Sequence, residues 1–177
     1  CRGSRTAEPA KTILGRLTMN YITPCLYAFG ASLAFAIVFN IPRNKLLLSA
    51  LGGMLGQLVY AIFQLVLAND VILYLLATIA ISLYAEVMAR LTKAPTTIYL
   101  AVALIPLVPG GGIYYTMLYL INGEIDLGIA TGIHTLLISG ALAVGIIMVS
   151  STVNLVRKVM LKSRRKIRKK LNDGKKA

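Results

Sequence analysis

Five runs of mainly apolar residues, roughly 21–39, 46–67, 71–89, 98–121 and 127–156, dominate the chain. Each approaches or exceeds the ~20 residues that an α-helix needs to cross the ~30 Å hydrocarbon core of a bilayer. None alternates polar and apolar residues with the period of two that a barrel strand requires, so helices are the spanning structure expected. Hydrophobic residues make up 57% of the 177 and mean hydropathy is +0.75, more apolar surface than one water-soluble core of this size can hide. The expected fold class is an all-α integral membrane protein with five transmembrane helices, the fourth broken between Pro106 and Gly112.

Charge gives these helices a direction. The formal net charge is +13, yet eleven Lys or Arg and one Asp fall within 157–177, a net +10 in the last 21 residues. A basic block behind a final apolar run is a topology signal and a contact for anionic headgroups, not a nucleic-acid surface. The loops after the first and third runs carry Arg43 and Lys45, then Arg90 and Lys93. The other two carry Asp70, then Glu124 and Asp126, without Lys or Arg. Lys and Arg mark the cytoplasmic side, which places the C-terminus inside and the N-terminus outside. If the fourth run returned to its starting side, the +10 tail would lie outside, so the fourth run is expected to cross.

Residues 19–156 are therefore read as a five-span membrane domain and 157–177 as a basic cytoplasmic tail. The polar segment 1–18, CRGSRTAEPAKTILGRLT, places Arg2, Arg5, Lys11 and Arg16 against Glu8 on the outer side. That conflicts with the charge rule, so these residues are expected to be foreign to the membrane unit and Met19 is a candidate start. The alternative is a short N-terminal segment that translocates despite its charge. No cleavable signal peptide is expected before residue 20. Cys1 and Cys25 suggest neither a disulfide framework nor a metal site.

The fourth run interrupts itself with LIPLVPGGGIYY, residues 104–115. Pro106 and Pro109 each remove a backbone donor and displace the carbonyl four residues back. Gly110, Gly111 and Gly112 can take conformations closed to other residues. Pro106 lies eight residues into the run, ~12 Å deep and near the midplane. Irregular backbone at that depth is tolerated where it is buried in protein or lines a cavity. The half-helix expected from about Ile113 would present free N–H groups and a positive dipole end, suited to a carboxylate. Tyr114 and Tyr115 follow and could close over such a ligand. The plainer readings are a packing kink and packing tyrosines; two prolines with three glycines favour the ligand role.

Three titratable residues are candidates for ion coupling. Glu86 and Arg90, at i and i+4 on the third run, can pair. An intramembrane acid suggests proton coupling, while the plainer reading is an acid at the interface held by Arg90. His134, two turns into the fifth run, has an unperturbed pKa of ~6.5 that suits a relay. No acid neighbours it in sequence, so a neutral imidazole hydrogen-bonded between helices is preferred. Asn69, Asp70, Glu124 and Asp126 are read as an outer vestibule or simple loops. Gly52-x-x-x-Gly56 and Gly128-x-x-x-Gly132 are packing signals. No HExxH, Walker A, Gly-x-Ser-x-Gly or paired-acid pattern is present, so neither an enzyme, a cofactor nor a metal is expected.

Ala85-Glu86 with Ala89-Arg90, then Pro95, then Ile105-Pro106-Leu107-Val108-Pro109-Gly110 and Tyr115 resemble the threonine/serine exporter family. The similarity covers roughly 20–155 and is closest to the small membrane subunit of the family's split form. It implies a larger partner subunit and export of threonine and serine, or of dicarboxylates such as succinate, across a bacterial cytoplasmic (inner) membrane. Self-association is a further option. The basic tail and residues 1–18 depart from the family pattern. The expected function is thus one subunit of a secondary exporter of small carboxylate metabolites. Its rival is a non-transporting membrane scaffold or channel-like assembly protein that uses the broken helix for packing.

Overall fold

The computed structural model describes residues 22–173, with side chains through Val159. Segment 1–18 and the candidate start Met19 lie outside the described residues. The helices are α1 (Thr23–Val38), α2 (Arg43–Phe63), α3 (Asp70–Thr92), α4 (Thr96–Leu104), α5 (Gly110–Ile121) and α6 (Ile125–Asp173). A 3₁₀ turn, Ile105–Leu107, follows α4, and no strand occurs among the described residues.

The all-α membrane class expected from the sequence is borne out. By length and composition α2, α3 and the Ile125–Val159 part of α6 are each able to cross a membrane. Thr96–Leu107 and Gly110–Ile121 qualify together, as a pair bent by 46°. The first expected span is represented by α1, an apolar helix of 16 residues. The basic tail continues α6 without interruption as far as Asp173, giving one helix of 49 residues.

Local chemistry sets the helix ends. Pro42 precedes α2 and Pro95 precedes α4, each extended where a helix cannot yet begin. Asn69 caps α3, its side chain accepting the Val71 N–H at 3.1 Å. Asp70 in the first turn and Arg90 in the last complement the dipole of α3. Lys93, at φ 52°, closes that helix in the left-handed region.

On α1 and α2 the buried residues are small, while large side chains point outward. The buried stripe of α1 is Cys25, Ala28, Ser32 and Ala36, whereas Tyr27, Phe35 and Phe39 are exposed. The buried face of α2 is Ser49, Ala50, Gly52, Gly53, Gly56 and Ala61. Lipid tails are as apolar as leucine, so close backbone approach rather than burial of bulk decides which face turns inward. α2 lies centrally against α1, α3 and α4, while α6 packs on α3 and α5. Ala77, Ile81, Ala103, Leu107 and Leu142 form the core where α3, the 3₁₀ turn and α6 meet.

Candidate functional site: the broken helix and two polar clusters

Pro106 has no N–H, so the Val102 carbonyl loses its helical donor. Ser32 of α1, fully buried, donates its hydroxyl to that oxygen at 3.4 Å. The proline ring turns toward Gly53 of α2, where a Cβ would stand 3.3 Å from Pro106 Cγ and would overlap the Ser32 hydroxyl. Leu107 seats against Gly56, whose added Cβ would come within 3.0 Å of Leu107 Cδ1 and would overlap Ile81. The Gly52-x-x-x-Gly56 packing signal thus cradles the break. Gly53 is the middle residue of α2 and Ile81 the middle residue of α3. The interruption therefore sits halfway along both neighbours.

Beyond the turn the backbone is re-satisfied locally. Val108 N–H reaches both Leu104 O at 3.1 Å and Ile105 O at 3.3 Å, which serves the carbonyl that Pro109 cannot. Gly110 N–H bonds to Val108 O at 2.7 Å, and Ile113 N–H makes the first helical bond, to Pro109 O at 3.2 Å. Two expectations are corrected here. The half-helix begins at Gly110, not near Ile113, and the three glycines form its first turn with helical backbone; among the described residues only Gly123 is a glycine with positive φ. What the glycines supply is room. A Cβ on Gly110 or Gly111 would meet nothing within 4 Å, whereas one on Gly112 would overlap the Thr135 hydroxyl of α6. The first-turn N–H groups of Gly111 and Gly112 have no partner within their own helix, and no side chain at 110 or 111 covers them.

A cavity of about 330 Å³ beside Pro106 is lined by Tyr27, Ala31 and Gln57. Tyr114 and Tyr115 are exposed on α5 and meet edge to face at 5.4 Å, with the Tyr119 ring tilted beyond, 6.3 Å from Tyr115. The 46° bend deflects α5 from the axis of α4 rather than turning it back.

Glu86 and Arg90 form the expected pair, but loosely: Arg90 Nε stands 3.9 Å from Glu86 Oε2, with 55% and 21% of the two side chains exposed. A cavity of about 430 Å³ adjoins them and is lined also by Thr96, Asn154 and Arg157. The nine residues of α4 separate this cluster from the break by ~13 Å. The structure does not bring Glu86 and Arg90 to the glycine turn.

His134 has an acidic neighbour after all. Its Nε2 stands 3.9 Å from Asp70 Oδ2, both side chains about half exposed. The sequence shows no acid beside His134; the structure supplies one from α3, across the bundle. Asp70, read as a loop or vestibule residue, is the first residue of α3. The pair adjoins the start of α5, since the next residue, Thr135, seats Gly112.

Asp70, Tyr74, Thr78, Ser82, Glu86 and Arg90 follow one another along α3 at four-residue steps. α6 runs beside this stripe in the same direction: His134 meets Asp70, Gly145 meets Thr78, and Asn154 and Arg157 share the cavity with Glu86 and Arg90. Thr78 donates to Tyr74 O at 2.7 Å. Ser82 is buried, and its hydroxyl has no partner among the described residues.

A family profile described as Threonine/Serine exporter, ThrE matches residues 24–152, which is 129 of the 177 residues. The chain belongs to this threonine/serine exporter family. Neither the curated proteins nor the solved structures contain a significant match. As a member of an exporter family it is a membrane transporter, which points away from an enzyme. The matched stretch includes the break, the Asp70–His134 pair and Glu86 with Arg90; Asn154 and Arg157 lie just beyond it. Sequence reasoning missed Ser32, Gly53 and Thr135, whose roles depend on a neighbouring helix, and it placed Arg157 only in the tail.

Proposed function

We propose that this chain is the small subunit of a two-part secondary exporter, moving threonine, serine or similar small carboxylate metabolites out across the cytoplasmic membrane with a larger partner subunit. The observation that carries this reading is the uncovered first turn of α5. Within an exporter-family chain, the Gly111 and Gly112 amides are open at a helix N-terminus that follows directly on the Pro106–Pro109 break, and no side chain at 110 or 111 covers them. Such an end attracts carboxylates through its N–H groups and its dipole. Pro106 and Pro109 hold the break, Gly110, Gly111 and Gly112 receive the anion, and Tyr114 and Tyr115 flank its path.

An ion gradient, protons foremost, drives the cycle. Glu86 with Arg90 and His134 with Asp70 are the coupling groups, at opposite ends of α3. The C-terminus is cytoplasmic, where the basic tail meets anionic lipid. The two halves of the assembly rock about the break.

The test is efflux from loaded bacterial cells expressing this chain with and without the larger family subunit. Labelled threonine and labelled succinate are followed side by side. Efflux only in the presence of the partner supports the split exporter and names the substrate class. No efflux of either, with both proteins present in the membrane, rejects it in favour of the scaffold.

A further inference from the structure

The cavity where α3, α4 and α6 meet lies apart from the glycine turn, and its charges are incompletely matched. The Glu86 side chain is nearly four-fifths buried, yet its one ion pair among the described residues, to Arg90 Nε, is 3.9 Å long. That is outside hydrogen-bond distance. A carboxylate this withdrawn from water is costly unless hydrogen-bonded donors complete it. Arg157 lines the same space with no ion pair among the described residues. Two guanidinium groups, one carboxylate, the Asn154 amide and the Thr96 hydroxyl therefore surround about 430 Å³, a volume typical of small-ligand pockets.

We infer that this cavity recognises a free α-amino acid as its zwitterion, and that Glu86 selects it over a dicarboxylate. The ammonium group completes Glu86, and the carboxylate lies between Arg157 and Arg90, where a guanidinium fork suits it. Asn154 and Thr96 are the groups able to bond a side-chain hydroxyl such as that of threonine or serine. A dicarboxylate satisfies the arginines but brings its second charge against Glu86, and like charges in a partly dehydrated site repel. The inference rests on the exporter reading and adds a second station to it. The cavity lies at the end of the bundle bearing Arg90, Lys93 and the beginning of the basic tail, the side from which an exporter collects its substrate.

A phosphatidylethanolamine headgroup also presents an ammonium beside an anion, so the experiment separates the two sources. The full chain is placed in phosphatidylcholine nanodiscs, and equilibrium binding of labelled threonine is measured with succinate as competitor. Threonine binds and succinate competes poorly. Glu86→Gln weakens threonine binding about tenfold or more, the scale of a lost charged hydrogen bond, and makes succinate the better competitor. Glu86→Asp keeps the wild-type preference, and Arg157→Gln weakens both ligands. Elution and melting profiles confirm that each variant is folded.

The inference is overturned if the unaltered chain fails to bind threonine, if succinate competes equally well, or if Glu86→Gln leaves threonine binding unchanged. Discs containing phosphatidylethanolamine should give the same threonine affinity; loss of binding there would assign the cavity to lipid and overturn it too. Threonine binding that depends on Glu86 but is accompanied by no efflux would reject the exporter reading alone. Threonine efflux with binding indifferent to Glu86 would reject the cavity alone.

Discussion

The Ser32 hydroxyl points at the Val102 carbonyl, the group that Pro106 deprives of its own helical donor. A break in one helix is therefore answered by a side chain of another, in a space that a methyl on Gly53 would invade. Ser32→Ala should leave that carbonyl unpaired and lower stability by ~1 kcal/mol, the small end of the range for an unsatisfied buried acceptor, because the bond is long at 3.4 Å. Gly53→Ala should cost more, about 1–3 kcal/mol, since its methyl meets both Ser32 and Pro106. Thermal unfolding in detergent measures both. Equal melting temperatures for Ser32→Ala and wild type would show that the contact contributes nothing.

Pro109→Ala combined with Gly110→Ala should abolish most efflux while leaving the protein folded. A methyl at residue 110 meets nothing within 4 Å, and alanine favours helix over glycine by up to ~1 kcal/mol. The substitutions therefore stiffen the start of α5 toward helix, without a steric cost at residue 110. Normal flux in the double variant would remove the anion from the first turn of α5.

Gly112 differs from its two neighbours, and the difference is measurable. Gly112→Ala should destabilise the α5–α6 contact by about 1–3 kcal/mol, because its methyl overlaps Thr135. Thr135→Ala in the same chain should recover most of that loss, whereas Gly111→Ala should not destabilise at all. Additive rather than compensating effects of Gly112→Ala and Thr135→Ala would contradict the packing described.

Asp70→Asn and His134→Gln should act as one lesion. If the 3.9 Å pair takes part in coupling, the double variant should lose no more efflux than the worse single variant. Stability should change by less than ~1 kcal/mol, since both groups are half exposed. Independent, multiplying losses of efflux would separate the two residues.

What was legible in the sequence follows the reach of each signal. Apolar run length gave the helices, because a bilayer fixes how long such a run must be. Pro106 announced the break, because a missing N–H acts on its own chain. Three glycines read as irregular backbone, which sets the expected start of α5 three residues late; what they supply is space against Thr135 and at an open helix end. Asp70 and His134 could not be paired in advance, being 64 residues apart, nor could Arg157 be drawn from the tail to Glu86. Such meetings depend on the parallel packing of α3 and α6; the four-residue stripe marks the polar face of α3, but nothing in the sequence says which helix lies against it.

The uninterrupted course of α6 has a mechanical consequence. Its 49 residues make a rod ~70 Å long, more than twice the hydrocarbon thickness it has to cross. A rod pivoting about its contact with α3 at Gly145 acts as a lever. A tilt of about 10° there would sweep its far end through ~7 Å. A displacement of about 2–3 Å at Thr135, beside the glycine turn, would thus be read out roughly threefold enlarged at the basic end of the same helix.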